Sequence, residues 1–588
     1  MTSKSEVIKH IKSLESLIKT EPNNFANYFH LGDAYRKINK YNLALKNYKK
    51  SVDLNKSFPE GFNNLASIYK ELENIENSIF FFKKAIELNP NYINALYNLG
   101  NIYFDESHYE ESISYFEKVL QINPDHIASL NNLGIVFKKI KKYDDALKCF
   151  RKIIKIDFNF LKAYNNIGNI LLEAGDVENA AANYKKVLDL NPDNIISYKN
   201  LFAAYENSNQ IKNYEKILKL AEVKFPNNKF LKLYKGILFF RKKKFKDSIK
   251  YLNKINFIDE SETEIKRLFF LGKAYDSIKE IDKAFKFFTL GNQLTSSSYN
   301  MKNFNKKKYL DSILERKKYF IKENVNNWTK LNYPLDSFNP IFLIGFPRSG
   351  TTLLDTILRS HPKIKVIEEK PMILNMINNI KNNKLKSLQN ITSEEILNLR
   401  KSYLFEIKKN VSFTNKSNII IDKLPLNIIN VGEIIRIFPT AKFILSIRHP
   451  LDCVLSCFMQ DFKLNNAMSN FLNIDDASNL YKNTMNLWNQ YISVLEVNYV
   501  SVKYEDLVNN FKPSVEKVLN YIDLKWDKSL TNYRETALDR GRISTPSYYQ
   551  VIQPIYKNAS YRWKKYNKYL SHIELNLADL IKKFEYYN

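Results

Sequence analysis

Residues 341–352 read IFLIGFPRSGTT, and they decide the fold of the second half of the chain. The protein has 588 residues but only 13 glycines, and two of them, Gly345 and Gly350, fall in this dozen. An apolar run, a tight turn and then TLLDTILRS, with its helical spacing, read as strand, loop and helix. That order gathers backbone N–H groups at a helix N-terminus around one point, with the positive end of the helix dipole behind them. Gly350 lets the backbone approach an oxyanion, Ser349, Thr351 and Thr352 add hydroxyl donors, and Arg348 adds a fork-shaped cation suited to phosphate or sulfate. A nucleotide-hydrolysing loop of the GxxxxGK[ST] type fits the Gly345–Gly350 spacing, but Thr351 stands where its lysine should be. A small-molecule kinase or NTPase is disfavoured on that ground.

Outward from this loop, short apolar runs alternate with helical patterns, which predicts a parallel sheet flanked by helices. Four runs carry the sheet: 341–346, 418–421, 441–447 and 498–503. In such sheets ligands bind past the carboxyl ends of strands. Past the third run stands IRHPLDCVLS, where Arg448 leaves the strand and Ser456 follows eight residues later on a helix opened by Pro450; both can reach a second phosphate. Thr392 and Glu395 have capping-box spacing and predict a helix start inside 374–410.

The first half is a repeat. Leu31, Leu65, Leu99, Leu133, Ile167 and Leu201 recur every 34 residues, four of them followed by glycine. Small residues recur with the same period at Ala44, Ser78, Ser112, Ala146 and Ala180; Tyr214 breaks the rule and Ser248 resumes it. Pro90, Pro124, Pro192 and Pro226 close units. Each unit predicts two antiparallel helices that cross closely at the small residues and bury their apolar faces only by stacking on neighbours. The expected organisation is an all-α array over 1–298, a capping helix and linker over 299–337, and the α/β domain over 338–588.

The formal net charge of +28 does not imply nucleic acid, because the lysines are spread over every segment and form no stripe. Cys149, Cys453 and Cys457 make neither a disulfide framework nor a metal-ligand spacing, which suits a reducing compartment. The N-terminus lacks the apolar core of a signal peptide, and no apolar run approaches the ~18 residues of a membrane span. The expectation is a cytoplasmic chain with no membrane span.

The repeat units, for example NALYNLGNIYFDESHYEESISYFEKVLQINP at 94–124, resemble the tetratricopeptide repeat family, which implies a groove for a protein or peptide. In the second half, FPRSGTTLLDTILRSHP, DKLPLN, SIRHPLDCVLS and VKYEDLV together resemble the sulfotransferases that use 3′-phosphoadenosine 5′-phosphosulfate (PAPS) as co-substrate. The likeness is to the tyrosylprotein sulfotransferases and to bacterial proteins that fuse tetratricopeptide repeats to such a domain. It implies a P-loop-like α/β fold and transfer without a metal. The 5′-phosphosulfate site falls on Arg348, Ser349, Gly350, Thr351 and Thr352, and the 3′-phosphate site on Arg448 and Ser456. Tyr504 takes a position beside the nucleotide, and a C-terminal nucleotide loop falls on 547–563, with Ser547 and with Arg562 in place of a family lysine.

The resemblance places the catalytic base on Glu369 of VIEEKP, and the cation facing the leaving phosphate on Lys423. Stripping an acceptor hydroxyl of its proton as it attacks sulfur suits a paired, partly buried carboxylate. The HP contexts of His361 and His449 read as structural. Two departures stand out: Pro371 replaces an Arg of the tyrosine-directed enzymes, and Gln460 replaces a nucleotide-side Arg. The acceptor hydroxyl is left open among a peptide tyrosine, a sugar and a small phenol. The alternative reading is a repeat scaffold whose second domain binds nucleotide without turnover.

Overall fold

The computed structural model describes residues 4–298, 301, 304–330, 339–380, 385–411, 419–539, 551 and 559–586. Its contacts divide the chain into two compact units, Met1–Ala204 and Tyr205–Asn588. No described helix is long and apolar enough to cross a membrane.

The first unit is a run of helical hairpins, for example Ile93–Asp105 with Tyr109–Ile122 and Ile127–Lys139 with Tyr143–Ile156. The periodic leucines are buried, and so are the small residues one helix later. Ser112 donates its hydroxyl to the carbonyl of Gly100 at 2.9 Å, and Ser78 to that of Ala66 at 2.8 Å, so the small side chain also tethers the crossing. A Cβ on Gly100 would lie 2.8 Å from the Phe116 ring, which is why glycine follows the periodic leucine there.

The second unit opens with the last repeats. Tyr214, which breaks the small-residue rule, is fully buried and donates its hydroxyl to the carbonyl of Tyr234 at 2.8 Å. The final hairpin, Ser261–Ser277 with Ile281–Ser297, is followed by helices Lys306–Tyr319 and Lys322–Asn326. Beyond them lies a five-stranded, all-parallel sheet in the order β2-β3-β1-β4-β5. The strands are β1 Ile341–Gly345, β2 Ile364–Glu368, β3 Ile419–Lys423, β4 Lys442–Ile447 and β5 Asn498–Lys503. The helical solenoid followed by a parallel-sheet domain is the fold expected from the sequence.

Four strands fall on the apolar runs. The fifth, β2, is IKVIE: an edge strand with Lys365, its second residue, exposed and a carboxylate at its end, too charged to read as a strand by itself. Its carboxyl end carries the Glu368–Glu369 pair to the end of the sheet where the loop after β1 lies. Chain order reverses about the central β1, which puts that loop at the switch point of the sheet. The Thr392–Glu395 capping box forms and opens helix Ser393–Asn410.

Candidate active site

The loop after β1 is tied down from several sides. Gly350, at φ 102°, caps helix Thr351–Arg359, and a Cβ there would meet the Tyr504 ring at 2.8 Å. Only glycine accepts both the left-handed backbone and that approach. The Ser349 carbonyl accepts from Ser446 Oγ at 2.9 Å, and that of Pro347 accepts from Cys457 Sγ at 3.5 Å. Ser349 Oγ itself is buried and has no hydrogen-bond partner among the described residues. A hydroxyl kept dry and unpaired at a helix N-terminus is unusual, since buried polar groups are normally hydrogen-bonded.

Arg348 and Arg448 meet here. Arg348, at φ 69°, donates from Nε to Ser456 Oγ at 3.0 Å, while its carbonyl accepts from Arg448 at 3.1 Å. Arg448 also donates to the Ala559 carbonyl at 2.5 Å and lies 5.0 Å over the Tyr504 ring. Arg348, Ser349, Gly350, Arg448, Ser456 and Tyr504 therefore form one cluster, with Thr351 and Thr352 buried on the first turn behind it.

Beside the cluster, the ends of β2 and β3 bring a cation among carboxylates. Lys423, fully buried, stands 3.0 Å from Glu368 Oε1, 3.0 Å from Glu369 Oε1 and 4.0 Å from Asp355 Oδ2. Burial alone would push its ammonium down, but Glu369, Glu368 and Asp355 outweigh burial and hold it raised. Glu369 keeps a third of its side chain exposed, at 32%, where Lys423 keeps none, so the carboxylate is the member of the pair open to an arriving molecule. Its φ of 49° is a left-handed conformation for a non-glycine residue, held by an N–H bond to the Lys423 carbonyl at 2.7 Å.

Ser547 lies outside the described residues. Arg562 points to the last repeat, with its guanidinium 2.8 Å from Asp276. Its neighbour Trp563 donates its backbone N–H to Asp452 at 2.9 Å, so the 559–563 segment still borders Arg448. Pro371 N-caps the short helix Met372–Ile377, and Gln460 donates to the neighbouring Asp461 carbonyl at 3.1 Å.

His361 and His449 are each packed into their surroundings. His361 bonds the Lys525 carbonyl at 3.2 Å and accepts from the Lys363 N–H at 3.1 Å. His449 stacks on Trp563 at 4.9 Å, and burial with the nearby Arg448 pushes it down to about 4.

Two residues escape the sequence reading. Asp355 is a fully buried carboxylate on the loop helix; its signal is a lone acid in the apolar stretch TTLLDTILR. Lys273, on the last repeat, has no local signal at all. Burial and then Arg241 push its ammonium down to about 8, and Asp461 and Arg348 of the α/β domain lie within its electrostatic reach.

Residues 340–528 match the model of the sulfotransferase family, and 32–73, 59–92, 91–157 and 161–194 match tetratricopeptide repeat models. An uncharacterized protein of Aquifex aeolicus is 26% identical over 332 residues, covering 54% of this chain and 42% of that one. Protein-tyrosine sulfotransferase A of Caenorhabditis elegans is 26% identical over 244 residues, covering 38% of this chain and 60% of its own. Protein-tyrosine sulfotransferase 1 of Danio rerio is 26% identical over 240 residues, with 38% and 65% covered. This chain thus spans less than two thirds of each of these relatives. Tetratricopeptide repeats precede a sulfotransferase-family domain.

Proposed function

We propose, for a chain that joins tetratricopeptide repeats to a sulfotransferase-family domain, that it moves the sulfuryl group of PAPS to an acceptor hydroxyl. The observation that carries this reading is the Lys423–Glu369 contact beside the two-arginine loop cluster. Anion donors and a base–cation pair lie at the same end of one sheet. Ser349 Oγ and the Gly350 turn fit a phosphosulfate, and Arg448 with Ser456 fit a further phosphate. Tyr504 offers a ring face beside them.

In this reading Glu369 accepts the proton of the acceptor hydroxyl while that oxygen forms a bond to sulfur in line with the leaving group. The bond between sulfur and the 5′-phosphate oxygen breaks, and its electron pair stays on the phosphate. Lys423 meets that charge as it develops. The products are the sulfated acceptor and 3′-phosphoadenosine 5′-phosphate (PAP). The repeats recruit or present the acceptor, which is a peptide tyrosine, a sugar or a small phenol. Incubation with radiolabelled PAPS and lysate tests this directly. Label entering protein, glycan or small molecule identifies the acceptor class; PAP binding without any transfer favours a non-catalytic scaffold.

A further inference from the structure

Lys423 has a supporter that neither the loop motif nor the Glu pair accounts for. Asp355 sits on the loop helix, fully buried, one turn below the anion-binding residues. Arg359 holds one of its oxygens, with Nε at 3.0 Å and NH2 at 2.9 Å from Oδ1. Its other oxygen, Oδ2, faces Lys423 Nζ at 4.0 Å. A carboxylate is costly to bury and is retained in a core only for what it pairs with. Here one oxygen is clamped, which fixes the direction of the second.

We propose that Asp355 is a positioning residue for sulfuryl transfer, keeping Lys423 charged and in place while Glu369 is being neutralised. This rests on the function proposed above. Before reaction, three carboxylates face the ammonium: Glu368 and Glu369 at the end of β2, and Asp355 on the loop helix. On the neighbouring β1, Leu343 is level with Lys423, and Asp422, next in β3, is engaged by the Tyr403 hydroxyl at 3.1 Å. Once Glu369 takes the acceptor proton, its charge no longer supports the ammonium. That is the moment at which the leaving phosphate needs a cation. A fully buried ammonium left with one carboxylate would tend to release its proton, whereas Asp355 and Glu368 together hold it.

The test is kcat against pH for the full chain, with PAP affinity measured by calorimetry. Asp355→Asn is expected to lower kcat by about 10-fold or more and to move the alkaline limb of kcat to lower pH by about one unit. PAP affinity should change less than about threefold. Asp355→Glu should restore part of both losses. Arg359→Gln removes the guanidinium charge but keeps an amide donor for Asp355 Oδ1, so the carboxylate still faces Lys423 and the alkaline limb should stay or move upward. An alkaline limb that moves down in Arg359→Gln, or one that stays in a folded Asp355→Asn, overturns the inference while leaving the proposed function standing. A wild-type chain that transfers no label from PAPS overturns both.

Discussion

The rings of Phe285 and Tyr569 stack with centroids 3.8 Å apart and planes 8° from parallel, joining the last repeat to the C-terminal helix Asn567–Lys583. Around them Asp276 pairs with Arg562 and accepts from the Tyr566 hydroxyl at 2.7 Å. Asp282 meets Lys568 and Tyr569, and Asn292 donates to the Phe458 carbonyl at 2.9 Å. The final repeat is therefore part of the wall of the α/β domain.

That wall sets where the chain tolerates a cut. Removing residues 1–302 strips Phe285 from Phe458 and Tyr569 and leaves Arg562 without Asp276. Its melting temperature should fall by several degrees, since the half-buried Phe285 ring contacts and the Asp276–Arg562 pair are lost together. Removing only 1–194 keeps the contacts. Differential scanning calorimetry on the two truncations should rank them in that order, and PAP affinity should follow the same ranking.

Nucleotide choice should depend on Arg448. Arg448→Ala removes a buried guanidinium from the loop cluster and should weaken PAP by about 1.5–3 kcal/mol, the worth of a hydrogen bond to a charged group. ATP should bind the wild type far more weakly than PAP. Calorimetric affinities that are equal for the two nucleotides contradict the 3′-phosphate assignment.

The roles proposed for Glu369 and Lys423 can be tested separately. Glu369→Gln should cut turnover by about 10²–10⁴-fold, as for a lost general base, with PAP binding nearly unchanged. Lys423→Ala should cut it by about 10²–10³-fold. A Glu369→Gln variant with normal turnover beside an inactive Glu368→Gln would move the base one residue toward the N-terminus.

Gly350 permits no side chain. A Cβ would press on Tyr504 at 2.8 Å from a backbone at φ 102°. Gly350→Ala should cost about 1–3 kcal/mol of stability and loosen PAP binding, because relief of the clash moves either the loop or the ring. Circular dichroism melts together with a PAP titration measure both losses.

A pH effect on stability follows from Asp422. Burial pushes its carboxyl up to about 7, well above the ~4 of an unfolded chain. Between these values the folded chain holds a proton that the unfolded chain has released, so stability falls as pH rises toward 7 and then levels off. Asp422→Asn keeps an acceptor for Tyr403 and removes the titration. Its stability relative to wild type should improve by about 1–3 kcal/mol between pH 5 and pH 8 in urea titrations.

The sequence by itself determined the periodic parts of this protein. Leucine, glycine and small residues at a 34-residue interval encode a stacked hairpin because each helix must bury the same face against its neighbour. That the glycine loop, Arg448 and Ser456 would meet was legible too, since each follows a strand end of one parallel sheet. What only the tertiary structure decided were meetings between distant segments. An edge strand of five residues, two of them charged, forms because β3 is there to pair with it, and it delivers Glu368 and Glu369 to Lys423. Asp355 becomes a partner of that lysine only when the loop helix lies beside the sheet. Arg562 turns to Asp276, which is 286 residues away in sequence. Local propensity has a range of a few residues, whereas a buried charge is placed by whichever opposite charge the packed core brings within reach.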